Sequence, residues 1–226
     1  MIGPNIITEN LILYLDARNP KSYPGSGINL SDISGLGGSG QFYNSPLYSQ
    51  GSINFDGSNQ FIRFERSDLN AGSFSYPYIT VYIWVKPPTN GGTGGTSNNV
   101  FTIENTLEIS FGRKANGFSE IYYASNPWAW RGNSNDALIN NEWNLITYVH
   151  SDDDRKMYVN ANLIYTSDEN GPLASGSTAY PYLTLMGRYS GTSASLEADL
   201  ATVSIYSEPH TLQQVQRYYD ETKPRF

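Results

Sequence analysis

Asn141-Glu-Trp-Asn-Leu-Ile-Thr-Tyr-Val-His150, followed by Lys156-Met-Tyr-Val-Asn-Ala-Asn-Leu-Ile-Tyr-Thr166, decides the fold class of this chain. Trp143, Leu145, Thr147 and Val149 form one alternating set, and Asn144, Ile146 and Tyr148 the other. The five polar residues Ser151 to Arg155 separate this run from a second one, in which Met157 and Val159 alternate with Lys156, Tyr158 and Asn160. Asn160-Ala-Asn162 then leaves room only for a tight reversal before Leu163, Ile164 and Tyr165. A period of two bounded by turn residues predicts three consecutive antiparallel strands.

The same punctuation extends outward. Residues 11–206 read as many short strands separated by Gly, Pro, Asn and Ser, with residues 1–10 as an extended arm. The glycine-rich run Pro87 to Asn99 reads as a flexible surface loop between two long strands, and Ser167 to Ala179 as a second mobile stretch. One helix is predicted, over about residues 211–221. Thr211 is its N-cap and Gln214 completes a capping box. Leu212, Val215 and Tyr218 or Tyr219 fall on one face, which would pack a sheet edge or rim. Pro224 requires the helix to have ended before it.

Composition bounds the partners. The 226 residues fit one domain, 11–226, and carry 18 tyrosines, a net charge of −7 and no cysteine. Without clustered Lys and Arg a nucleic-acid backbone is not a partner. Without cysteine there is no disulfide, thiol nucleophile or thiolate metal site. No stretch reads as a secretory signal or is long and apolar enough to insert into a membrane. A weakly charged surface rich in Tyr, Ser, Asn and Gly suits sugars or other proteins.

Six further segments carry a resemblance. They are Leu11–Ala17, Asp32-Ile-Ser-Gly-Leu-Gly-Gly38, Ser52–Gly57 with Gln60–Phe64, Ile79–Lys86, Asp199–Tyr206, and the tail Leu212–Phe226. Together with the three-strand run, in this order, they resemble the LamG-like, concanavalin A-like lectin/glucanase domain of the kind found in tailed-bacteriophage virion proteins. The resemblance implies an all-β, two-sheet antiparallel jelly-roll sandwich with a short C-terminal helix. In it Ser52–Phe64 is a hairpin around Phe55-Asp-Gly57, Ile79–Lys86 is the long central strand and Asp199–Tyr206 the closing strand. Trp84 and Trp143 take the core tryptophan positions.

The resemblance also directs the search for chemistry. Laminarinase-like relatives carry Glu-x-Asp-x-x-Glu on one strand, because retaining hydrolysis needs two carboxyls about 5–5.5 Å apart. Here Glu197-Ala-Asp-Leu-Ala-Thr202 places Thr202 at the second Glu, so the acid is missing. Glu104 and Glu108 read as solvated strand ends parted by a turn. A glycoside hydrolase is therefore the least favoured reading. Calcium-binding relatives suggest Asp32 as the one metal candidate, but Ala201 stands where a second ligand is expected, and an Asx turn around Asp32 is the competing reading. No cofactor is otherwise implied. The consecutive carboxylates Asp152 to Asp154 read as a solvated turn.

The aromatic run Tyr122-Tyr123, Asn126-Pro-Trp-Ala-Trp-Arg-Gly132 is the strongest binding signal. Trp128 and Trp130 would share one face of a strand and Gly132 would let the chain turn away. Tyr122, Asn126, Asn133 and Asp136 would join them around a glycan or a protein partner. The alternative is that the indoles are core or subunit interface. The expectation is a non-enzymatic virion surface protein, a capsid decoration or a tail- or fibre-associated module. It would contact neighbouring virion proteins or host-surface glycans. A dedicated host-glycan adhesin is the rival, and a homo-oligomer is compatible with both.

Overall fold

The computed structural model describes residues 4–65, 77–88, 98–114, 117–125, 129–133, 137–169, 171–173, 182–188 and 195–226. Among them lie sixteen strands, numbered in chain order, and one α-helix. The first sheet contains β1 (Leu11–Asp16), β4 (Leu47–Ser49), β5 (Ser52–Asp56), β7 (Ile79–Lys86), β12 (Asn144–His150), β13 (Arg155–Val159), β14 (Asn162–Ser167) and β16 (Glu197–Tyr206). Its order is β14-β13-β12-β7-β16-β5-β4, with β1 also paired to β16. The second sheet contains β2 (Asn29–Ser31), β3 (Ser39–Tyr43), β6 (Phe61–Glu65), β8 (Asn98–Ile103), β9 (Leu107–Lys114), β10 (Gly117–Ser125), β11 (Ala129–Asn133) and β15 (Tyr182–Leu185). Its order is β11-β10-β9-β8-β15-β6-β3-β2. All pairings are antiparallel, and the two sheets form a sandwich.

The meander β12-β13-β14 forms as its alternation predicts. Ile146, Tyr148, Met157 and Val159 enter the core between the sheets, with Phe101, Ile109, Phe111 and Tyr123 from the second sheet. The reversal after β13 puts Asn160 and Ala161 at φ 51° and 62°. Two left-handed residues are what a tight hairpin turn needs, and glycine usually supplies the second. Ala161 is retained where its methyl is buried against the outer face of the first sheet.

That outer face is a second core. Leu145, Val149, Tyr158, Tyr14, Tyr82, Trp84 and Tyr206 lie on it, so β12 and β7 are apolar on both sides. The helix α1 (Leu212–Thr222) covers it, with Val215 and Tyr218 buried. The capping box at Thr211 and Gln214 is present, and the helix gives way to a 3-10 turn, Lys223–Arg225, containing Pro224. Trp84 Nε1 donates to Thr222 Oγ1 (2.9 Å), Tyr82 stacks on Tyr218 at 3.9 Å, and Phe226 stacks on Trp84 at 4.5 Å. Arg225 Nη2 lies 2.7 and 2.8 Å from the two carboxylate oxygens of buried Asp16. The N-terminal segment joins this layer: Ile6 is buried and Tyr206 Oη donates to the Ile7 carbonyl (2.8 Å).

Several expectations are corrected here. The helix packs the face of the first sheet rather than an edge or rim. Leu212 does not share the buried stripe but is 58% exposed. Trp84 belongs to this second core and the partly buried Trp143 packs against it, so neither lies in the layer between the sheets. Ser52–Phe64 is not a hairpin, because β5 lies in the first sheet and β6 in the second. The Phe55-Asp-Gly57 segment crosses the sandwich. Asp56 Oδ1 accepts from Ser58 N (2.7 Å), and Gln60 Oε1 accepts from Asp56 N (2.9 Å), so side chains satisfy the backbone that leaves the first sheet.

The described part of the stretch expected to be mobile is tied down. Glu169 pairs with both Arg131 of β11 and Arg155 of β13, so one carboxylate joins the two sheets. Leu173 is buried, and the Gly171 carbonyl accepts from His150 Nε2 (2.9 Å). Residues 174–179, and 89–97 of the glycine-rich loop, lie outside the described residues.

Candidate functional site: the outer face of the second sheet

Strand alternation assigns the faces of the second sheet. Ile121 and Tyr123 of β10 are buried in the core between the sheets, so Tyr122 between them stands on the outer face. Its neighbours shape the seat. A Cβ on Gly112 would lie 2.5 Å from the Tyr122 ring, and one on Gly132 would lie 2.1 Å from the Ile121 carbonyl oxygen and 2.9 Å from the Tyr122 ring. Glycine on both flanking strands therefore makes room for this ring against the sheet. The hydroxyl of Tyr122 donates to Glu120 Oε2 (2.6 Å), and that bond, with burial and the carboxylate charge, pushes its pKa up to about 12. The result is a half-buried aromatic surface that remains a neutral phenol at physiological pH. Gly132 thus has a different role from the expected one: it is paired with Tyr122 inside β11 rather than turning the chain.

A polar floor continues from Tyr122 across the sheet. Asn99, Thr102, Glu108, Ser110 and Thr184 are all 5% exposed or less. Asn99 Nδ2 donates to Thr102 Oγ1 and to Glu108 Oε2, both at 3.0 Å, and Ser110 Oγ donates to Asn99 Oδ1. Thr102 Oγ1 donates to the Gly187 carbonyl (3.0 Å). Arg188 Nε lies 2.8 Å from Glu108 Oε1, an ion pair whose N–H is not aligned as a hydrogen bond. Burial raises the pKa of Glu108 above the ordinary carboxylate value, while Asn99 and Arg188 work against that rise. Glu104 is also fully buried. Neither glutamate is the solvated strand end that the sequence suggested. Glu108 is buried on β9 and Glu104 in the turn that joins β8 to β9, a burial that the polar residue type does not announce.

At the far end Arg63 of β6 lies over two rings, 4.7 Å from the Tyr43 centroid and 4.5 Å from that of Tyr182. Backbone register links the ends: Gln41, Arg63, Thr184, Thr102, Glu108, Ala124 and Trp130 are successive partners across the sheet.

Of the sequence candidates, Tyr122 and Trp130 therefore fall on one face of adjacent strands at one edge, Trp130 as a backbone position of β11, whereas position 133 is the register partner of core-facing Ile121 and belongs to the other face. Trp128, Asn126 and Asp136 lie outside the described residues. The sequence reading missed Arg63 and Tyr43; Tyr182 stood out in the sequence only as part of a second aromatic group, Tyr180-Pro-Tyr182, without a place on a face. A lone arginine in Phe61-Ile-Arg-Phe64 was the available signal.

The other two chemical candidates are elsewhere. Asp32 Oδ1 accepts from Tyr14 N (2.8 Å) and Ser34 N (2.9 Å), and Oδ2 from Ser34 Oγ (2.6 Å). Its carboxylate is engaged by its own Asx turn, and among the described residues no three His, Cys, Asp or Glu side chains group as metal ligands. These residues do not fit a calcium site of converging oxygens. The strand bearing Glu197 and Thr202, β16, lies inside the first sheet, between β7 and β5. There Asp199 pairs with Lys86 (2.9 Å), and Ser204 Oγ meets Tyr218 Oη beneath the helix (2.7 Å).

Comparison with known proteins agrees with this architecture. Comparison with curated protein sequences finds no match. The receptor-binding domain of botulinum neurotoxin C/D mosaic serotype superposes with a TM-score of 0.69 at 12% identity, over 95% of this chain and 52% of that one. The botulinum neurotoxin serotype D ligand-binding domain, in complex with N-acetylneuraminic acid, gives 0.70 at 13% identity, over 95% and 51%. The type G receptor-binding domain gives 0.65 at 14%, over 94% and 51%. The chain thus spans about half the length of these structures and shares their fold. Residues 56–216 match the family model Laminin_G_3, and the chain belongs to the concanavalin A-like lectin/glucanases superfamily.

Proposed function

We propose that this chain is a non-enzymatic binding module whose working surface is the outer face of the second sheet at β9–β11, and that it serves on the surface of a bacteriophage virion. There it contacts glycans or neighbouring virion subunits, as a capsid decoration or a tail- or fibre-associated protein. The observation that carries the binding reading is the Tyr122 seat. Two glycines and a fixed Glu120 acceptor hold a half-buried ring beside the strand bearing Trp130. A flat apolar ring beside hydrogen-bonding groups is what a sugar face or a protein partner requires. The virion setting is supported by the likeness of the 212–226 tail to phage copies of the domain.

The rival, a dedicated host-glycan adhesin, draws support from the fold-mate solved with N-acetylneuraminic acid. The fold hosts binding and hydrolytic members alike, so the site must decide. The near match to a hydrolase strand is engaged by Lys86 and lies beside the C-terminal helix, which favours binding over hydrolysis.

A glycan-array screen of the wild-type chain, repeated with Tyr122→Ala and Trp130→Ala, tests the binding reading. Retained folding with weaker binding supports it. Loss of an aromatic anchor at a hot spot costs about 2 kcal/mol or more. Unchanged binding in both folded variants rejects this surface. Immunolabelling of particles with an antibody to the chain tests the virion setting.

A further inference from the structure

The far end of the same face carries an arrangement that a neutral-sugar platform does not need. Arg63 stands with its guanidinium over the faces of Tyr43 and Tyr182, at 4.7 and 4.5 Å, and its side chain keeps about a quarter of its surface. Tyr43 is itself backed by Phe61, stacked at 4.4 Å with an interplanar angle of 6°. A guanidinium held over ring faces loses its freedom to rotate, while its N–H groups stay in its own plane and emerge edge-on. This is the geometry in which arginine takes a carboxylate through two parallel hydrogen bonds. Among the described residues the carboxylate that pairs with it is that of Glu65, 3.5 Å from Nη2 and 44% exposed, which is an ion-pair distance and not a hydrogen bond. Around the arginine lie neutral hydrogen-bonding groups. Gln41 is its register partner on one side and Thr184 on the other, and Tyr43 Oη donates to Gln41 Oε1 (3.2 Å).

We propose that Arg63, clamped between Tyr43 and Tyr182, is a carboxylate-recognition subsite that selects acidic saccharides, with a uronic-acid-type carboxylate displacing Glu65. This rests on the glycan-binding reading and names its substrate class. The carboxylate goes to the guanidinium, and the hydroxyls to Gln41 and Tyr43. Four strand spacings separate β6 from β10, about 19 Å. The outer-face residues between them, Thr184, Thr102 and Glu108, are buried, so Arg63 and Tyr122 are separate subsites and the acidic one is read from Arg63 alone. On a chain of net charge −7, a single clamped cation also gives selectivity without general attraction to polyanions.

The test is calorimetric titration of the full chain with oligogalacturonate and, separately, with maltohexaose, at low and at raised salt. Oligogalacturonate is expected to bind, and more weakly at raised salt. Arg63→Lys keeps the charge and loses the planar fork, and is expected to weaken binding at least tenfold. Glu65→Gln removes the competing carboxylate and is expected to tighten binding several-fold. Neither change should alter the thermal midpoint by more than a few degrees, and Glu65→Gln keeps the test decisive if Arg63→Lys does not fold. Binding of oligogalacturonate that survives Arg63→Lys, or that Glu65→Gln leaves unchanged or weakens, overturns the assignment. So does equal affinity for a poly-glutamate peptide, which would make the partner an acidic protein. Binding of maltohexaose alone overturns the acidic subsite and leaves the glycan reading standing. Failure to bind either saccharide, or any glycan on the array, removes both.

Discussion

Gly132 shows how much of this surface depends on one missing methyl. A Cβ there would stand 2.1 Å from a backbone oxygen of β10, which cannot move aside as a flexible side chain could. Gly132→Ala is therefore expected to destabilise the chain by about 1–3 kcal/mol or more, as overpacking does, and to separate β11 from β10. Chemical denaturation gives the energy, and amide exchange on β11 locates it. Asp32 makes the opposite case. Its oxygens already accept three hydrogen bonds from Tyr14 and Ser34. Calcium and chelator are expected to give nearly the same thermal midpoint. A ligand at about 100 times its dissociation constant would add about 2.7 kcal/mol and raise the midpoint visibly, which would show that a site exists.

At the scale of elements, the C-terminal helix and tail are part of the core and not an appendage. They cover Tyr82, Trp84 and Tyr206 and end in the Arg225–Asp16 pair. Asp16 is 2% exposed, so Arg225→Ala would leave a buried carboxylate without its cation. Breaking such a pair from one side costs about 3–5 kcal/mol. Because Arg225 itself is partly exposed, the lower end of that range is expected. Thr211→Ala removes the cap and is expected to cost about 1 kcal/mol. Urea unfolding of both variants checks the order: the tail ion pair should matter more than the cap.

At the scale of the whole molecule, two buried histidines set an acid limit. His150 accepts at Nδ1 from Tyr148 Oη (3.1 Å) and donates from Nε2 to the Gly171 carbonyl. His210 Nδ1 is joined to Tyr82 Oη by a 2.7 Å hydrogen bond. Burial pushes both pKa values down to about 4 from the ordinary 6.5. Each depressed base contributes stability that is fully present above about pH 6.5, where neither state is protonated. That contribution is lost as pH falls toward 4, because the unfolded chain binds a proton that the folded chain refuses. Each loss amounts to roughly 3 kcal/mol at its limit. Urea midpoints between pH 7 and pH 4 should fall steeply, and less so in His150→Gln. A flat profile would show that these rings are solvated.

The sandwich was legible because β12, β13 and β14 alternate with a period of two and end in turn residues. The helix was legible because Thr211 and Gln214 mark its start. What the helix covers was not. In β7, Ile79-Thr-Val-Tyr-Ile-Trp-Val85 is apolar on both faces, and such a run does not say which face meets the other sheet and which meets a helix. The split of β5 from β6 was hidden for a related reason, since a short Asp-Gly turn reads alike whether it closes a hairpin or crosses a sandwich. Tyr122 was legible as a candidate. Its seat required the register that brings Gly112 and Gly132 beside it, and Arg63 required the pairing that brings Tyr43 and Tyr182 together.

The central claim is that the outer face of the second sheet binds a ligand. Amide chemical-shift mapping of the labelled full chain during titration with an array-selected saccharide tests it most directly. The account predicts shifts concentrated at Gly112, Glu120, Tyr122 and Gly132, extending to Arg63 and Tyr182 when the saccharide is acidic. Shifts confined to the first sheet and α1, or none at saturating saccharide, would contradict it.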